Sequence, residues 1–313
     1  MSTTDVPASI PAPASEATSA PTSSPWSPGP IPGRIPGAAA SVRRTMPIRI
    51  EFARQISQWR VRVVLIIFAL LPVVVRLAFL IGGAGGPAAG RTDLAAFAQA
   101  SGTTFTAFIL VITAGFLLTL VVALLFGDMI AGEASRSTLK YLLTIPVGRT
   151  RLLFVKVLVS WTVLVVGILL LTGMSLLVGT ISYGGGGIQI PVGPQLGMGE
   201  SLMRILAAVA IICLHLSWAA ALGTMFTVLA EAPLAAAGGV VITSILSSIL
   251  ERIPDLGEVR HYLPTWNTDA FREFFKARID YAPIADSVLS AAIYALLFTT
   301  VAVLWFRRKD ISS

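Results

Sequence analysis

Charge is scarce in this chain. Only 12% of its 313 residues are Asp, Glu, Lys or Arg, about half the share of a water-soluble domain. A single cysteine, Cys213, excludes a disulfide framework and a cysteine-based metal site. The two histidines, His215 and His261, have no carboxylate at ligand spacing, so no metal ligands are assigned. No glycine precedes a lysine anywhere, which removes the Gly-x-x-x-x-Gly-Lys-Ser/Thr phosphate loop. The Ser, His, Asp and Glu residues show no nucleophile–base pattern, and no catalytic residue is assigned. Acids are nearly absent from the apolar runs, which argues against a proton- or sodium-coupled carrier.

What the chain has instead is apolar length. Hydrophobic residues make up 55% of it, and runs of about 20 such residues can cross a hydrocarbon core of roughly 30 Å as helices. The first 45 or so residues are rich in Pro, Ala, Ser and Thr and are expected to form a disordered tail. Residues 46–313 are expected to form one all-α, polytopic membrane domain with spans near Val61–Ile81, Phe105–Phe126, Leu152–Thr180, Ile205–Leu229, Leu234–Leu250 and Ser287–Phe306. Ahead of the first span, Phe52, Ile56, Trp59 and Val63 share one helical face, which predicts an N-terminal helix lying at the interface. The loops Gly82–Gly90 and Gly184–Pro194 are Gly-rich and read as flexible. The last long loop is aromatic and predicts one or two short helices at the outer interface.

A net charge of +7 would suggest nucleic acid in a soluble protein, but its distribution marks topology here and no nucleic-acid partner is expected. Arg49, Arg54, Arg60 and Arg62 precede or begin the first span. Arg136, Lys140, Arg149 and Arg151 lie between the second and third, and Arg307, Arg308 and Lys309 follow the last. With six spans these groups share one side, so both termini are expected in the cytoplasm. Arg76, late in the first span, either snorkels to the far surface or marks a candidate pathway or interface contact. Buried His215 reads as a packed, hydrogen-bonded residue rather than a ligand.

The segment 127–151 is the most informative. As a helix it sets Leu139, Leu142 and Leu143 on one face and Glu133, Arg136 and Lys140 on another, and Pro146 ends it. Such a helix either floats on lipid or docks in a groove of a soluble partner. The order of Glu133, Thr138-Leu139-Lys140, Leu142-Leu143 and Pro146-Val147-Gly148-Arg149 resembles the cytoplasmic loop of ABC-2 type transporter permeases. The tail Trp305-Phe306-Arg307-Arg308-Lys309-Asp310-Ile311 is similar to theirs, and the likeness extends over about Arg49–Ile311.

That resemblance implies an ABC-2 (type V exporter-like) fold and a non-catalytic membrane subunit in a bacterial inner membrane. It implies pairing with a second permease copy or relative and with a separate ABC ATPase that binds ATP and Mg²⁺. The cargo class it implies is a hydrophobic or amphiphilic compound such as a drug or lipid, moved outward. Glu133, Thr138, Leu139, Lys140, Leu143 and Arg149 would be the contacts that couple the permease to the ATPase. The alternatives are a partner-independent carrier or channel, and a membrane anchor for an ATPase-containing complex.

Overall fold

The computed structural model describes residues 52, 55–81, 97–132, 149–190, 195–230 and 232–308. Contacts divide the chain into Met1–Arg43 and Arg44–Ser313, and all described residues belong to the second unit. They form α1 (Trp59–Ile81), α2 (Gly102–Ala114), α3 (Phe116–Gly127), α4 (Arg149–Tyr183), α5 (Met198–His215), α6 (Ser217–Leu229), α7 (Pro233–Glu251) and α8 (Ala282–Arg308). Two 3₁₀ helices, Pro254–Tyr262 and Thr268–Phe275, join α7 to α8. No strand occurs among the described residues.

Five stretches are long and apolar enough to cross a membrane: Trp59–Ile81, Thr150–Tyr183, Met198–Leu229, Pro233–Glu251 and Ala282–Arg308. The pair α2–α3, bent by 58°, makes a sixth if it counts as one span. Apolar side chains stay exposed along whole faces, among them Ile66, Leu70, Val74 and Leu77 on α1 and Leu289, Ile293, Leu296 and Leu304 on α8. Unbroken apolar faces of that length suit hydrocarbon rather than water. These are the features of a multi-pass helical membrane protein.

The span expected at Phe105–Phe126 is broken at Gly115. Glycine is a poor helix former, and the Thr113 and Thr119 hydroxyls beside it donate to the carbonyls of Ile109 (2.7 Å) and Gly115 (2.8 Å). Back-bonding of this kind bends helices. Pro72, in contrast, lies inside an uninterrupted α1. The α6–α7 turn falls where sequence places it, with Pro233 opening α7, a position at which its missing amide costs nothing.

Two centres organise the packing. α4 packs against α1 and α2, and α6 packs against α3, α7 and α8. Phe68, Phe105, Ile109, Leu164, Ile168 and Leu171 fill the first region, while Trp218, Phe126 and Leu222 belong to the second. α2 and α4 meet closely: a Cβ on Gly179 would stand 2.8 Å from the Gly102 carbonyl oxygen. Small residues allow such an approach, which is how helices gain packing energy in lipid.

Three expectations gain detail, and the second of them is corrected. Ahead of α1, Gln55 is buried and its amide donates to Ser160 Oγ at 2.8 Å, while Trp59 is 74% exposed. Gln55 thus joins the packing side, and Trp59 stays at the surface. The described part of the second Gly-rich loop is tied down: Ser101 and Thr103 hydroxyls donate to the carbonyls of Gly187 (2.9 Å) and Gly186 (2.7 Å). The Gln189 and Ile188 amides donate to Thr104 and Ser201. The last loop forms two short helices, as expected; the second packs on α5, α8 and α2, with Phe271 1% exposed beside Ala114, Ile212 and Leu216, while Asp269 and Arg272 stay exposed. Residues 1–45, most of the predicted interfacial helix and the Gly82–Gly90 loop lie outside the described residues.

Replacing Gly179 by Leu should force α2 and α4 apart and cost about 1–3 kcal/mol. The check is a lowered thermal-unfolding midpoint of the purified chain in detergent; an unchanged midpoint would contradict the close approach.

Candidate functional site

The helices alternate in direction, so one end of the bundle collects the start of α1, the α3–α4 connection, the α6–α7 turn and the end of α8. This is the loop end of the bundle. The first residues of the α3–α4 connection are fixed there by several helices at once. Gly127 closes α3, and Asp128 pairs with Arg60 from the first turn of α1. The amides of Ile130 and Ala131 both donate to Thr227 Oγ1 of α6, at 3.1 and 3.0 Å. Gly132 N–H returns to the Asp128 carbonyl at 2.9 Å, closing a helical turn. Met129 and Ile130 pack with Leu153 of α4, Val228 of α6 and Phe306 of α8.

The chemistry of this arrangement is simple. The first amides of a new helical turn have no partner within their own helix, and in a poorly hydrated place each orphan costs about 1–3 kcal/mol. Thr227 is 1% exposed and supplies one oxygen to two of them. The Asp128 side chain is 12% exposed and the Arg60 side chain 52%, so their pair adds less than a fully buried one would. Thr227 is therefore the stronger tie.

The predicted contacts stand as follows. Glu133, Thr138, Leu139, Lys140 and Leu143 lie outside the described residues. Arg149 is the first residue of α4, and its side chain also lies outside the description. The described root of the loop is thus brought against α1, α4, α6 and α8 immediately before the predicted segment begins. Arg76 lies elsewhere: its guanidinium sits 5.0 Å from the centre of the Tyr183 ring, a cation–π contact. Tyr183 in turn meets Phe105.

Sequence reasoning missed two things. Arg60 counted only as a topological charge, and Thr227, a hydroxyl near the end of an apolar run, carries no local signal. The other omission is a polar cavity of about 770 Å³, lined from the Gly115 bend, α6, the end of α7 and the second 3₁₀ helix. Trp218, 2% exposed, lines it, and its indole Nε1 has no hydrogen-bond partner among the described residues. Thr119, Ser248 and Glu251 add polar atoms to the wall. Asn267 shapes the inserted segment with a left-handed backbone (φ 58°, ψ 28°), a conformation Asn tolerates better than most residues.

His215 holds that insertion in place. Nδ1 lies 2.8 Å from Ser287 Oγ of α8 and Nε2 lies 3.1 Å from Thr268 Oγ1. The ring is 4% exposed and is the packed, hydrogen-bonded residue expected from the sequence. Farther out, Arg204 donates to the Phe274 and Lys276 carbonyls at 3.2 and 2.7 Å and pairs with Glu200 at 2.6 Å. Among the described residues no three of His, Cys, Asp or Glu gather as a metal site.

Residues 62–312 match the model of a family described as "Protein of unknown function (DUF2705)", and the chain belongs to that family. No curated protein matches the chain.

Thr227→Val should orphan two amides and destabilise the protein by on the order of 2 kcal/mol, whereas Thr227→Ser keeps the oxygen and should stay near wild type. Thermal unfolding of both variants in detergent checks this; equal midpoints for Val and Ser would refute the clamp.

Proposed function

We propose that this chain is the membrane-spanning permease subunit of an ATP-driven transporter of the ABC-2 type. It exports a hydrophobic or amphiphilic compound across a bacterial inner membrane, with both termini in the cytoplasm. Two such subunits, identical or related, pair with two copies of a separate ATPase. ATP and Mg²⁺ bind in that partner, and this chain contributes no catalytic residue.

One observation carries the reading. The root of the 127–151 loop is seated on Thr227 of α6, and α6 is the loop-end part of the continuous Met198–Leu229 span. Trp218, which lines the polar cavity, is nine residues from Thr227 on the same helix, or about 14 Å along its axis. His215, which holds the cavity's inserted wall, lies three residues farther along the same span. A push on the loop therefore reaches α1 through Arg60, α8 through Phe306 and the cavity through α6.

In this mechanism the ATPase pair closes on ATP and presses the helix that carries Leu139 and Leu143. The clamped root transmits the displacement to α6, and the cavity wall moves with it. Coupling of this kind needs an element with two discrete positions rather than a flexible tether. The 58° bend at Gly115 and the inserted 3₁₀ segment border the cavity and give its wall joints at which to move.

The test begins with the tagged chain purified from its own membranes in mild detergent, with its companions identified by mass spectrometry. A stoichiometric soluble protein bearing a phosphate loop is the expected companion. Leu139→Asp should then leave the permease inserted but abolish its stimulation of the partner's ATPase. A chain that comes out alone from several gentle detergents would overturn the proposal in favour of a partner-independent carrier. Full coupling by a correctly inserted Leu139→Asp variant would remove the assigned role of that helix.

A further inference from the structure

A second cavity, of about 530 Å³, opens between α4, α6 and α8 at the loop end. Its walls are chiefly apolar or small: Leu153, Phe154, Val157 and Trp161 on α4, and Ala220 and Ala221 on α6. From Thr150 to Trp161 the slot follows α4 for eleven residues, about 16 Å of helix. Phe154 on its rim is 66% exposed, so the slot opens sideways onto an apolar face of the bundle.

Charge appears only at one end. Arg151 of α4 lines the mouth and is exposed. Across the slot, Ala295, Thr299 and Val303 of α8 form a row with a spacing of four, and residues so spaced share one helix face. Arg307 follows one turn beyond Val303, just outside the slot lining, and is exposed like Arg308 after it. Two facing helices thus bring arginines to the same end of an apolar groove. Arginine binds phosphate through a planar fork of donors, and basic pockets between spanning helices hold anionic lipid headgroups.

We infer that this slot binds one anionic phospholipid, with its phosphate between Arg151 and Arg307 and an acyl chain laid along α4 toward Trp161. A second copy of the chain is a poorer occupant. A symmetric contact places the same patch on both partners and would set these arginines against their own counterparts. The lipid site does not rest on the transport proposal, since it follows from the groove and its charges alone.

The site touches the loop root. Leu153 lines the slot and also packs with Met129, Ile130 and Phe306, and Val303 is shared in the same way. A bound acyl chain would brace the helices on which the α3–α4 connection is seated.

The experiment is native mass spectrometry of the purified full chain, titrated in detergent with palmitoyl-oleoyl phosphatidylglycerol or the matching phosphatidylcholine. Wild type should hold one phosphatidylglycerol in preference to phosphatidylcholine. Arg151→Gln with Arg307→Gln should weaken that binding about thirtyfold. Thr299→Trp, from an exposed position on the slot wall, should block it with both arginines intact. Inorganic phosphate should not displace the lipid. Equal retention of the two lipids, unchanged binding by the variants, or displacement by phosphate alone would each overturn the proposal. So would a Thr299→Trp protein that keeps its lipid but changes from dimer to monomer, which would make the slot a protein interface. If the double arginine variant fails to fold, the Thr299→Trp result decides alone.

Discussion

Inside an apolar bundle a polar group has no water to turn to, and nearly everything distinctive here follows from that constraint. Most hydroxyls in the described helices answer it locally, as Thr172, Ser175 and Thr224 do by donating to the carbonyl four residues back. A few answer it across helices, and those few define the architecture. Thr227 accepts from two amides at the root of the α3–α4 connection, Gln55 donates to Ser160, and His215 joins Ser287 to Thr268. Apolar contacts in lipid give little direction, because the tails are as apolar as leucine. Directional bonds at these points choose which helices move together.

The two ends of the Met198–Leu229 span are used differently. At the loop end α6 supports a chain reversal through Thr227; toward the other end the span holds an inserted 3₁₀ segment through His215. Between them Trp218 lines the polar cavity with an indole N–H that no described residue satisfies. A buried donor without a protein partner is uncommon. Here it stands in a cavity large enough for a small molecule and walled by the Gly115 bend. The loop root and the cavity share one helix, and the proposed coupling rests on that geometry.

How much of this was legible in the sequence depended on the range of the forces involved. The spanning helices were readable because burial in lipid requires unbroken apolar length, and the α6–α7 turn because Pro233 announces it. His215 was readable as a packed residue because a lone imidazole in an apolar run has few other options. The bend at Gly115 was not, since single glycines are common in straight spans and this one yields only with Thr113 and Thr119 beside it. The burial of Gln55 was not legible either, because its partner Ser160 is 105 positions away. The order imposed on Gly184–Ile190 has the same origin, as its partners Ser101, Thr103 and Thr104 lie at the start of another helix. Of the candidate site, the sequence announced the loop itself through its charges and its leucine face. It could not announce Thr227, whose importance is visible only once α3 and α6 stand side by side.

The central claim is that the root of the loop is a fixed part of the bundle and not a hinge. Hydrogen exchange of the purified chain in lipid nanodiscs, followed at the Ile130 and Ala131 amides, tests this most directly. The account predicts slow exchange there, comparable to that of the buried turns of α6, because both amides are bonded to a hydroxyl shielded from solvent. Exchange as fast as that of an open loop would contradict it, and would leave the α3–α4 connection unable to pass a push to the helices it rests on.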